Sequence, residues 1–262
     1  MTITDPGKPI HLSIVIPAYN EARRIVPYLE AITAYLGRRS LSYELLVVDD
    51  GSRDDTAALV EQAGAQHSYI RLIRLPRNSG KGAAVRAGMQ AAQGELRLFA
   101  DADGATPIQE LERLEAAVKD GADLAIGSRT LASRDNRYQV KARLHRTLLG
   151  NLFNRIVRHL GIQSINDTQC GFKLFRQAAA QDLFSVARID GYGFDLELLY
   201  VARQRGYRIA EVPINWADQP GSKVRVFRDG LAMLREMLAV RRNDARGLYA
   251  AQQPIPAAAR RS

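Results

Sequence analysis

Several features that many proteins carry are scarce or missing here, and each absence narrows the class of protein. Among 262 residues there is one cysteine, Cys170, which excludes an intramolecular disulfide framework and is typical of a reducing compartment. No apolar run reaches the length of about 18 residues that a membrane-spanning helix needs, and residues 1–9 lack the apolar core of a signal peptide. The four histidines show no metal-ligand spacing. No Gly-x-Gly-x-x-Gly follows the first predicted strand, which excludes a dinucleotide-binding dehydrogenase.

Charge of one sign is in excess, and its position indicates the kind of partner. The formal net charge is +9, and the surplus of basic residues lies from Arg134 onward. There the basic residues alternate with leucine, isoleucine and valine, whereas a single-stranded nucleic-acid binder would interleave aromatic rings for base stacking. The pattern favours an anionic membrane surface as partner and predicts no binding of nucleic acid.

The first half of the chain alternates strand and helix patterns. Strands are predicted at Leu12–Ile16, Glu44–Val48, Ile70–Leu75, Leu96–Ala100 and Asp123–Gly127, and helices from the cap Asn20 to Leu36 and at 54–63, 80–92 and 107–119. This alternation predicts an α/β fold with a mostly parallel sheet and helices on both faces. Ligands of such sheets bind at the carboxyl ends of the strands. We therefore expect Pro17–Glu21, Asp49–Ser52 and Asp101–Thr106 to converge there.

Asp101-Ala-Asp103 is the strongest single chemical signal. It follows a short apolar run, and side chains spaced i, i+2 at a strand end point the same way. Two carboxylates there can share a divalent cation. The coordination shell of Mg²⁺ or Mn²⁺ is then typically completed by substrate phosphates. The same spacing also occurs in ordinary loops, so its neighbours decide the interpretation.

Two later segments are amphipathic and basic, Val140–Leu160 and Phe227–Arg242. One interpretation is a core-facing apolar stripe with a solvated basic face. The other is an interfacial helix that buries its apolar side at the acyl boundary and places arginines on lipid phosphates. Residues 252–262 are rich in proline and alanine and are predicted to be a disordered tail.

The motifs together resemble a family 2 glycosyltransferase of GT-A fold, and most closely the dolichyl-phosphate β-glucosyltransferases; the dolichyl-phosphate mannose synthases are less similar. In chain order they are Pro17-Ala-Tyr-Asn-Glu21, Asp49-Asp-Gly-Ser52, Asp101-Ala-Asp-Gly-Ala-Thr106, Gly127-Ser-Arg129, Asp167-Thr-Gln-Cys-Gly-Phe-Lys-Leu-Phe175, Phe194-Asp-Leu-Glu-Leu198, Asn215-Trp216 and Gly221-Ser-Lys223. The resemblance implies a GT-A domain over 10–226, with a nucleotide-sugar half at 10–130 and an acceptor half at 131–226. Residues 227–262 would add an amphipathic helix and the tail. Ala105 stands where the mannose synthases often have a metal-contacting glutamine, which leaves one metal ligand unassigned.

On this resemblance, the donor side is assigned first. Pro17, Tyr19 and Glu21 would form the base and ribose pocket, and Asp49 or Asp50 would accept the imide N–H of a uracil. Asp101 and Asp103 would hold Mg²⁺ or Mn²⁺ on the donor diphosphate, with Asp103 as the better direct ligand. Lys81 would add charge near phosphate, although a solvated lysine is the simpler interpretation, and Lys223 would close over the diphosphate in a mobile loop.

The acceptor side follows from the later motifs. Arg129 would grip the acceptor phosphate bidentately. Gln169, Gly171 and Phe172 would belong to an acceptor loop in which Gly171 permits a turn and Phe172 packs. Asp195, with Glu197, would orient the site rather than remove a proton, and Cys170 would pack rather than act as a nucleophile.

The function expected from the resemblance is inverting, metal-dependent transfer of glucose from UDP-glucose to a polyprenyl or dolichyl phosphate. The enzyme would be cytoplasmic and peripheral on the cytoplasmic face of the membrane, and a homo-oligomer is compatible with the sequence. Alternatives are transfer of mannose from GDP-mannose, transfer to a glycan hydroxyl, and a basic membrane-binding protein with a defunct sugar-nucleotide pocket.

Overall fold

The structure is a computed structural model that describes residues 9–141, 165–219 and 226–250. The strands are β1 Leu12–Ala18, β2 Tyr43–Asp49, β3 Ile70–Arg74, β4 Leu96–Ala100, β5 Leu124–Ser128, β6 Val140–Lys141, β7 Phe172–Arg176, β8 Ile209–Pro213 and β9 Trp216–Ala217. The helices are α1 Ile25–Leu36, α2 Thr56–Gln66, α3 Lys81–Ala91, α4 Leu111–Lys119, α5 Arg129–Ala132, α6 Gln177–Val186, α7 Phe194–Gln204 and α8 Val226–Ala245, with a 3-10 turn at Ile108–Glu110.

One mixed sheet organises the described part of the chain. Its seven strands lie in the order β3-β2-β1-β4-β7-β5-β8, and every neighbouring pair is parallel except those that include β7. β7 is antiparallel to both β4 and β5. β6 and β9 pair separately and in parallel. The predicted α/β architecture with a mostly parallel sheet is confirmed, and the antiparallel strand, which falls within the predicted acceptor loop, was missed.

The sheet separates two apolar layers because successive side chains of each strand point to opposite faces. In β1, Ile14 and Ile16 pack with α1, α2 and α4, whereas Val15 packs with α3, α6, α7 and α8. All three side chains are fully buried, and each burial stabilises the fold by roughly 1.5–3 kcal/mol. Helices on both faces therefore hold the strand ends, and the loops that follow them, in fixed positions.

Two predicted boundaries near the first strand are wrong. β1 continues through Pro17, which lies beyond the last register pair with β4, Val15 with Phe99, so its missing N–H interrupts no pairing there. α1 begins at Ile25 and not directly after Asn20. Asn20 has a positive φ of 52° and does not cap the helix.

The two amphipathic segments have different outcomes. Residues 142–164 lie outside the described residues, so most of the first segment stays a prediction. The second forms α8, which buries Met237 and Val240 in the core, while the side chains of Leu231 and Leu238 are 53% and 60% exposed. The core-facing interpretation is therefore confirmed for part of its apolar surface. None of the helices in the described ranges has the length and apolar content needed to cross a bilayer.

Candidate active site

The loops that follow β1 and β2 are bonded to each other at the carboxyl edge of the sheet. The Asn20 backbone N–H donates to Ser52 Oγ at 2.8 Å, and Asn20 Oδ1 accepts from the Arg53 N–H at 2.7 Å. The Glu21 N–H donates to Thr56 Oγ1 at 2.7 Å. Asn20 thus connects two loops that are distant in sequence, which is the convergence expected of parallel strands.

The predicted nucleoside pocket has a carboxylate that is already paired. Glu21 Oε2 lies 2.6 Å from Arg24 Nε, and Glu21 Oε1 lies 2.7 Å from Arg24 Nη2. Pro17 lies inside β1, and Tyr19 lies in the loop that follows it. The roles of Pro17, Tyr19 and Glu21 toward base and ribose stay predictions.

The two aspartates after β2 hold backbone amides. Asp49 accepts from the Ser52 N–H at 3.2 Å, which is turn chemistry. Asp50 accepts from the Ser79 N–H at 2.6 Å and the Gly80 N–H at 2.9 Å, and so fixes the entry to α3. Burial raises the pKa of Asp50, although the two backbone hydrogen bonds act to lower it. Both carboxylates therefore shape loops of the edge, and the uracil contact stays a prediction for either.

Asp101 and Asp103 lie in the turn that follows β4, because the strand ends at Ala100. β4 has the predicted bounds, and the shared direction of the two side chains stays a prediction, because strand alternation does not apply within a turn. The turn positions them instead: the Asp101 N–H donates to the Gly171 carbonyl at 3.0 Å, and Asp103 Oδ1 accepts from the Ala105 N–H at 3.0 Å. Burial, and then the charge of Asp101, raise the pKa of Asp103. The two acids are thus close enough to interact electrostatically.

Gly171 is required by the position of the Asp101 side chain. A Cβ at residue 171 would lie 2.0 Å from Asp101 Oδ2 and 2.2 Å from Asp101 Cγ. Gly171 lies at a bend just after the turn at residues 168–169, and its φ is not among the positive values in the described residues. The glycine is there because the carboxylate occupies the space that a side chain would need.

The Lys81 ammonium forms an ion pair with the Asp101 carboxylate. Its Nζ lies 2.7 Å from Asp101 Oδ1, 5.4 Å from the centroid of the Phe99 ring and 5.9 Å from that of Tyr192. Burial alone would lower the pKa of Lys81, but Asp101 and Asp195 outweigh it and raise the pKa, so the ammonium stays charged. The interpretation of Lys81 as a solvated lysine is wrong.

A buried ion pair between Lys173 and Asp195 lies near the same Phe99 ring. Lys173 Nζ is 2.5 Å from Asp195 Oδ1, donates to the Cys170 carbonyl at 2.7 Å and lies 5.7 Å from the Phe99 centroid. Burial raises the pKa of Asp195, and Lys173 opposes that rise. Asp195 is 2% exposed and bonded to Lys173, so its carboxylate is buried and does not line the cleft; its role in the reaction stays a prediction. Lys173 was not predicted as a site residue, since nothing in the local pattern marks a lysine of a strand as buried.

The Asp167 carboxylate binds Arg129 bidentately, through two of its guanidinium nitrogens. Arg129 Nε and Nη2 lie 2.7 and 2.8 Å from the two oxygens of Asp167, whose Oδ2 also accepts from the Arg129 N–H at 2.9 Å. The expectation of a bidentate grip on an acceptor phosphate through this fork is therefore corrected. The guanidinium carbon also lies 5.3 Å from the Trp216 ring centroid, so Arg129 is fixed on a second side.

A small cleft opens beside Asp101 and is lined by Tyr28, Asp101, Ala105, Thr106, Gly171, Phe172 and Trp216. β9 positions the indole, because the Trp216 N–H donates to the Gln139 carbonyl and the Ala217 N–H to that of Ala105, both at 2.9 Å. Burial, and then Asp101 and Asp103, raise the pKa of Tyr28, so its phenol stays protonated. Tyr28 was missed because its spacing in α1 is that of a core residue.

The remaining predicted residues have mixed outcomes. Phe172 is fully buried in β7 and packs as expected. Gln169 Nε2 is buried and has no hydrogen-bond partner within the described part of the chain, which leaves its acceptor role a prediction. Burial raises the pKa of the Cys170 thiol to about 12, so it is protonated at neutral pH and packs, as predicted. Lys223 lies outside the described residues.

The donor set fits a divalent ion only if a substrate contributes ligands. Across the described ranges, no group of three or more His, Cys, Asp or Glu side chains is arranged to hold a metal. Asp101 and Asp103 supply hard oxygen ligands, as Mg²⁺ and Mn²⁺ prefer, and Ala105 supplies none. Two carboxylates with a shell otherwise completed by phosphate and water are compatible with this chemistry.

A mostly parallel sheet with acidic and lysine side chains at its carboxyl edge, beside an aromatic-lined cleft, defines a glycosyltransferase of the GT-A fold. A family model described as "Glycosyl transferase family 2" matches residues 13–184. The chain belongs to that family.

Curated relatives support this assignment, and solved structures share the fold. The chain is 40% identical over 238 residues to a dolichyl-phosphate beta-glucosyltransferase from Trichomonas vaginalis, covering 86% of this chain and 69% of the relative. It is 36% identical to the dolichyl-phosphate beta-glucosyltransferase from Homo sapiens, covering 92% of this chain and 78% of the relative. Its fold is similar to that of glucosyl-3-phosphoglycerate synthase from Mycobacterium tuberculosis in complex with Mn²⁺, UDP and glucosyl-3-phosphoglycerate, with a TM-score of 0.65, 21% identity, and coverage of 88% and 78% of the two chains.

Proposed function

We propose that this enzyme transfers glucose from UDP-glucose to a polyprenyl or dolichyl phosphate, with inversion at the anomeric carbon and with Mg²⁺ or Mn²⁺ bound. The observation that carries the proposal is the Asp101–Asp103 turn with Lys81 bonded to it, in a chain similar over most of its length to dolichyl-phosphate beta-glucosyltransferases. The Mn²⁺ and UDP bound by the structurally similar synthase support the same class of donor.

The charges at the edge suit a diphosphate donor. Lys81 and the buried Lys173 flank Phe99, and each is balanced by one aspartate, Asp101 and Asp195. Asp103 adds a further carboxylate on the same turn. A divalent ion held by Asp101 and Asp103 would supply positive charge to the leaving diphosphate. Lys81 stays charged and lies next to that position, so it can bind a phosphate oxygen in exchange for Asp101.

The acceptor side requires no strong general base. A lipid monophosphate is ionised at neutral pH, so its oxygen can attack the anomeric carbon directly while the bond to UDP breaks and the electron pair leaves with UDP. A single displacement converts an α-linked donor into a β-linked product. Asp195 is paired with Lys173 and therefore contributes by holding the edge in place. Arg129, held by Asp167 and Trp216, keeps a fixed positive charge beside the cleft.

The test is a transfer assay with purified enzyme, UDP-glucose or GDP-mannose, and a short-chain polyprenyl phosphate. We expect β-linked lipid phosphoglucose with UDP-glucose, loss of activity in excess chelator, and recovery with Mg²⁺ or Mn²⁺. Asp103→Asn should lose activity by at least about 100-fold, while Asp120→Asn, an exposed acid at the end of α4, should retain it. Preference for GDP-mannose, or transfer to a free sugar hydroxyl but not to the lipid phosphate, would establish one of the alternative reactions.

We further propose that the enzyme is peripheral at the cytoplasmic face of the membrane and that α8 contacts the lipid. Leu231, Arg235, Leu238 and Arg242 follow one another at helical spacing and are all exposed. Exposed leucines flanked by arginines suit a surface with an apolar interior and anionic headgroups. This position would bring the enzyme to an acceptor that resides in the bilayer.

A further inference from the structure

The turn Gly191–Tyr192–Gly193, which leads into α7, encloses the carboxylate of Glu236 from α8. The Gly193 N–H donates to Glu236 Oε2 at 2.7 Å. A Cβ at residue 191 would lie 2.0 Å from Glu236 Oε1, and one at residue 193 would lie 2.6 Å from Oε2. Only glycine at both positions leaves room for this carboxylate. The C-terminal helix is therefore fitted to the turn through one specific side chain.

The same turn contacts the start of α3 on its other side. The Asp190 carbonyl accepts from the Gly82 N–H at 2.7 Å and from the Ala83 N–H at 3.2 Å, and Asp190 Oδ1 lies 2.5 Å from Arg86 Nη2. A Cβ at Gly82 would lie 2.4 Å from the Ile189 carbonyl oxygen, so the two backbones are in direct contact. Residues 189–193 are therefore in direct contact with the first turn of α3.

That first turn carries Lys81. The ring of Tyr192 lies 5.9 Å from Lys81 Nζ, and Lys81 Nζ lies 2.7 Å from Asp101 Oδ1. A continuous series of contacts thus runs from Glu236 through the Gly191–Gly193 turn to Lys81 and Asp101. α8, which follows the predicted acceptor half in the chain, is in this way connected to Lys81 and Asp101.

We infer that Glu236 is a positioning residue for the donor diphosphate, acting through the Gly191–Gly193 turn on Lys81. The inference rests on the proposed function for what the site binds, and on the contacts alone for the coupling. α8 has other contacts with the protein besides this carboxylate, because Met237 and Val240 are fully buried and Asp244 accepts from the Tyr200 hydroxyl at 2.7 Å. A carboxylate at the start of α7 is also favoured by the helix dipole.

The experiment compares Glu236→Ala and Glu236→Gln with a matched control, Asp244→Asn, which alters another carboxylate of α8 that does not touch the turn. Trp216 is the single tryptophan and lines the cleft beside Asp101, so its fluorescence reports donor binding. We expect Glu236→Ala to raise KM for UDP-glucose about tenfold and to leave KM for polyprenyl phosphate unchanged. Glu236→Gln should recover part of the loss because its amide oxygen can accept the Gly193 N–H. Asp244→Asn should keep the wild-type KM even if its thermal stability falls.

Amide hydrogen exchange of the ligand-free enzyme separates the coupling from the function. Glu236→Ala should raise exchange at residues 80–86 as well as at 190–194, whereas Asp244→Asn should not. Unchanged exchange at 80–86 would overturn the coupling, and increased exchange with an unaltered KM for UDP-glucose would overturn the link to the donor site. If the wild-type enzyme neither uses nor binds UDP-glucose, the proposed function fails, and the exchange result still decides the coupling.

Discussion

At the scale of single residues, Gly171 makes the sharpest prediction, because its α-carbon faces the Asp101 carboxylate. Gly171→Ala would place a methyl group 2.0 Å from Asp101 Oδ2, so the carboxylate must move. A misplacement of about 1 Å in a reacting site lowers rates by about 100-fold, and we expect a loss of at least that size in kcat/KM for UDP-glucose. Steady-state kinetics with both substrates provide the measurement.

The control for that substitution is Gly230→Ala in α8. A Cβ there meets nothing within 4 Å, and alanine in a helix is favoured over glycine by about 0.5–1 kcal/mol. Gly230→Ala should keep full activity and unfold at slightly higher temperature. Wild-type kinetics in Gly171→Ala would contradict the close approach of the carboxylate.

The pair of Arg129 and Asp167 predicts a pH dependence of stability. Burial alone would raise the pKa of Asp167, but Arg129 and its hydrogen bonds outweigh burial and hold the pKa below the ordinary value of about 3.9. Because the folded-state pKa is the lower one, the pair's stabilisation is complete above about pH 4 and is lost as the pH falls through the folded value.

Asp167→Asn should therefore lower the free energy of unfolding by roughly 3 kcal/mol or less at neutral pH, since Arg129 remains partly exposed. The difference from wild type should shrink below about pH 4. Urea unfolding between about pH 3 and 7 measures it. A difference that stays constant over this range would show that the charge of Asp167 does not stabilise the folded protein.

Sequence alone identified several residues of the site but few of their contacts. Asp101, Asp103 and Arg129 stand out because each follows a predicted strand. Their partners Lys81, Gly171 and Asp167 come from distant parts of the chain, and spacing carries no information about which distant residues meet. Asp167 therefore looked like part of an acceptor loop, although it closes the bidentate side of Arg129.

At the scale of elements, α8 predicts two separable effects of apolar substitution. Glutamates at both Leu231 and Leu238, which are 53% and 60% exposed, should abolish binding to anionic vesicles and change the free energy of unfolding by no more than about 0.5 kcal/mol. Met237→Ala, by contrast, removes a fully buried side chain and should cost about 2–5 kcal/mol while vesicle binding by the folded protein persists. Vesicle sedimentation and thermal unfolding distinguish the two. Undiminished binding by the double variant would exclude α8 as the lipid contact.

Periodicity predicted α8 but could not assign its apolar residues to one environment. Its apolar positions cover more of the helix surface than one contact needs, so some pack in the core and others face outward. β7 escaped prediction for a different reason. Lys173 interrupts its apolar pattern, and the charge is accommodated only because Asp195 on α7 lies 2.5 Å away. No local signal can reveal such a tertiary contact.

At the scale of the whole molecule, the donor set predicts that nucleotide and metal stabilise the fold cooperatively. Asp101 and Asp103 alone complete no metal shell, so Mn²⁺ and UDP should each raise the melting temperature only slightly, and together by more than the sum. A ligand at about 100 times its Kd stabilises the folded state by about 2.7 kcal/mol. Calorimetry of wild type and Asp103→Asn measures this, and the variant should lose the cooperative part. Additive increases in the melting temperature of the wild type would mean that metal and nucleotide bind independently.

The place of β7 between β4 and β5 also has a consequence for the order in which the protein matures during synthesis. β1, β2, β3 and β4 can pair as they emerge, but in the sheet β5 reaches β4 only through β7, which is translated later. A nascent chain that stops before residue 171 carries β4 as an open strand edge, of the kind that recruits other chains. It also lacks the Gly171 carbonyl that holds the Asp101 N–H. The positioning of Asp101 is therefore a late event in biogenesis, because it depends on the segment that leads into β7.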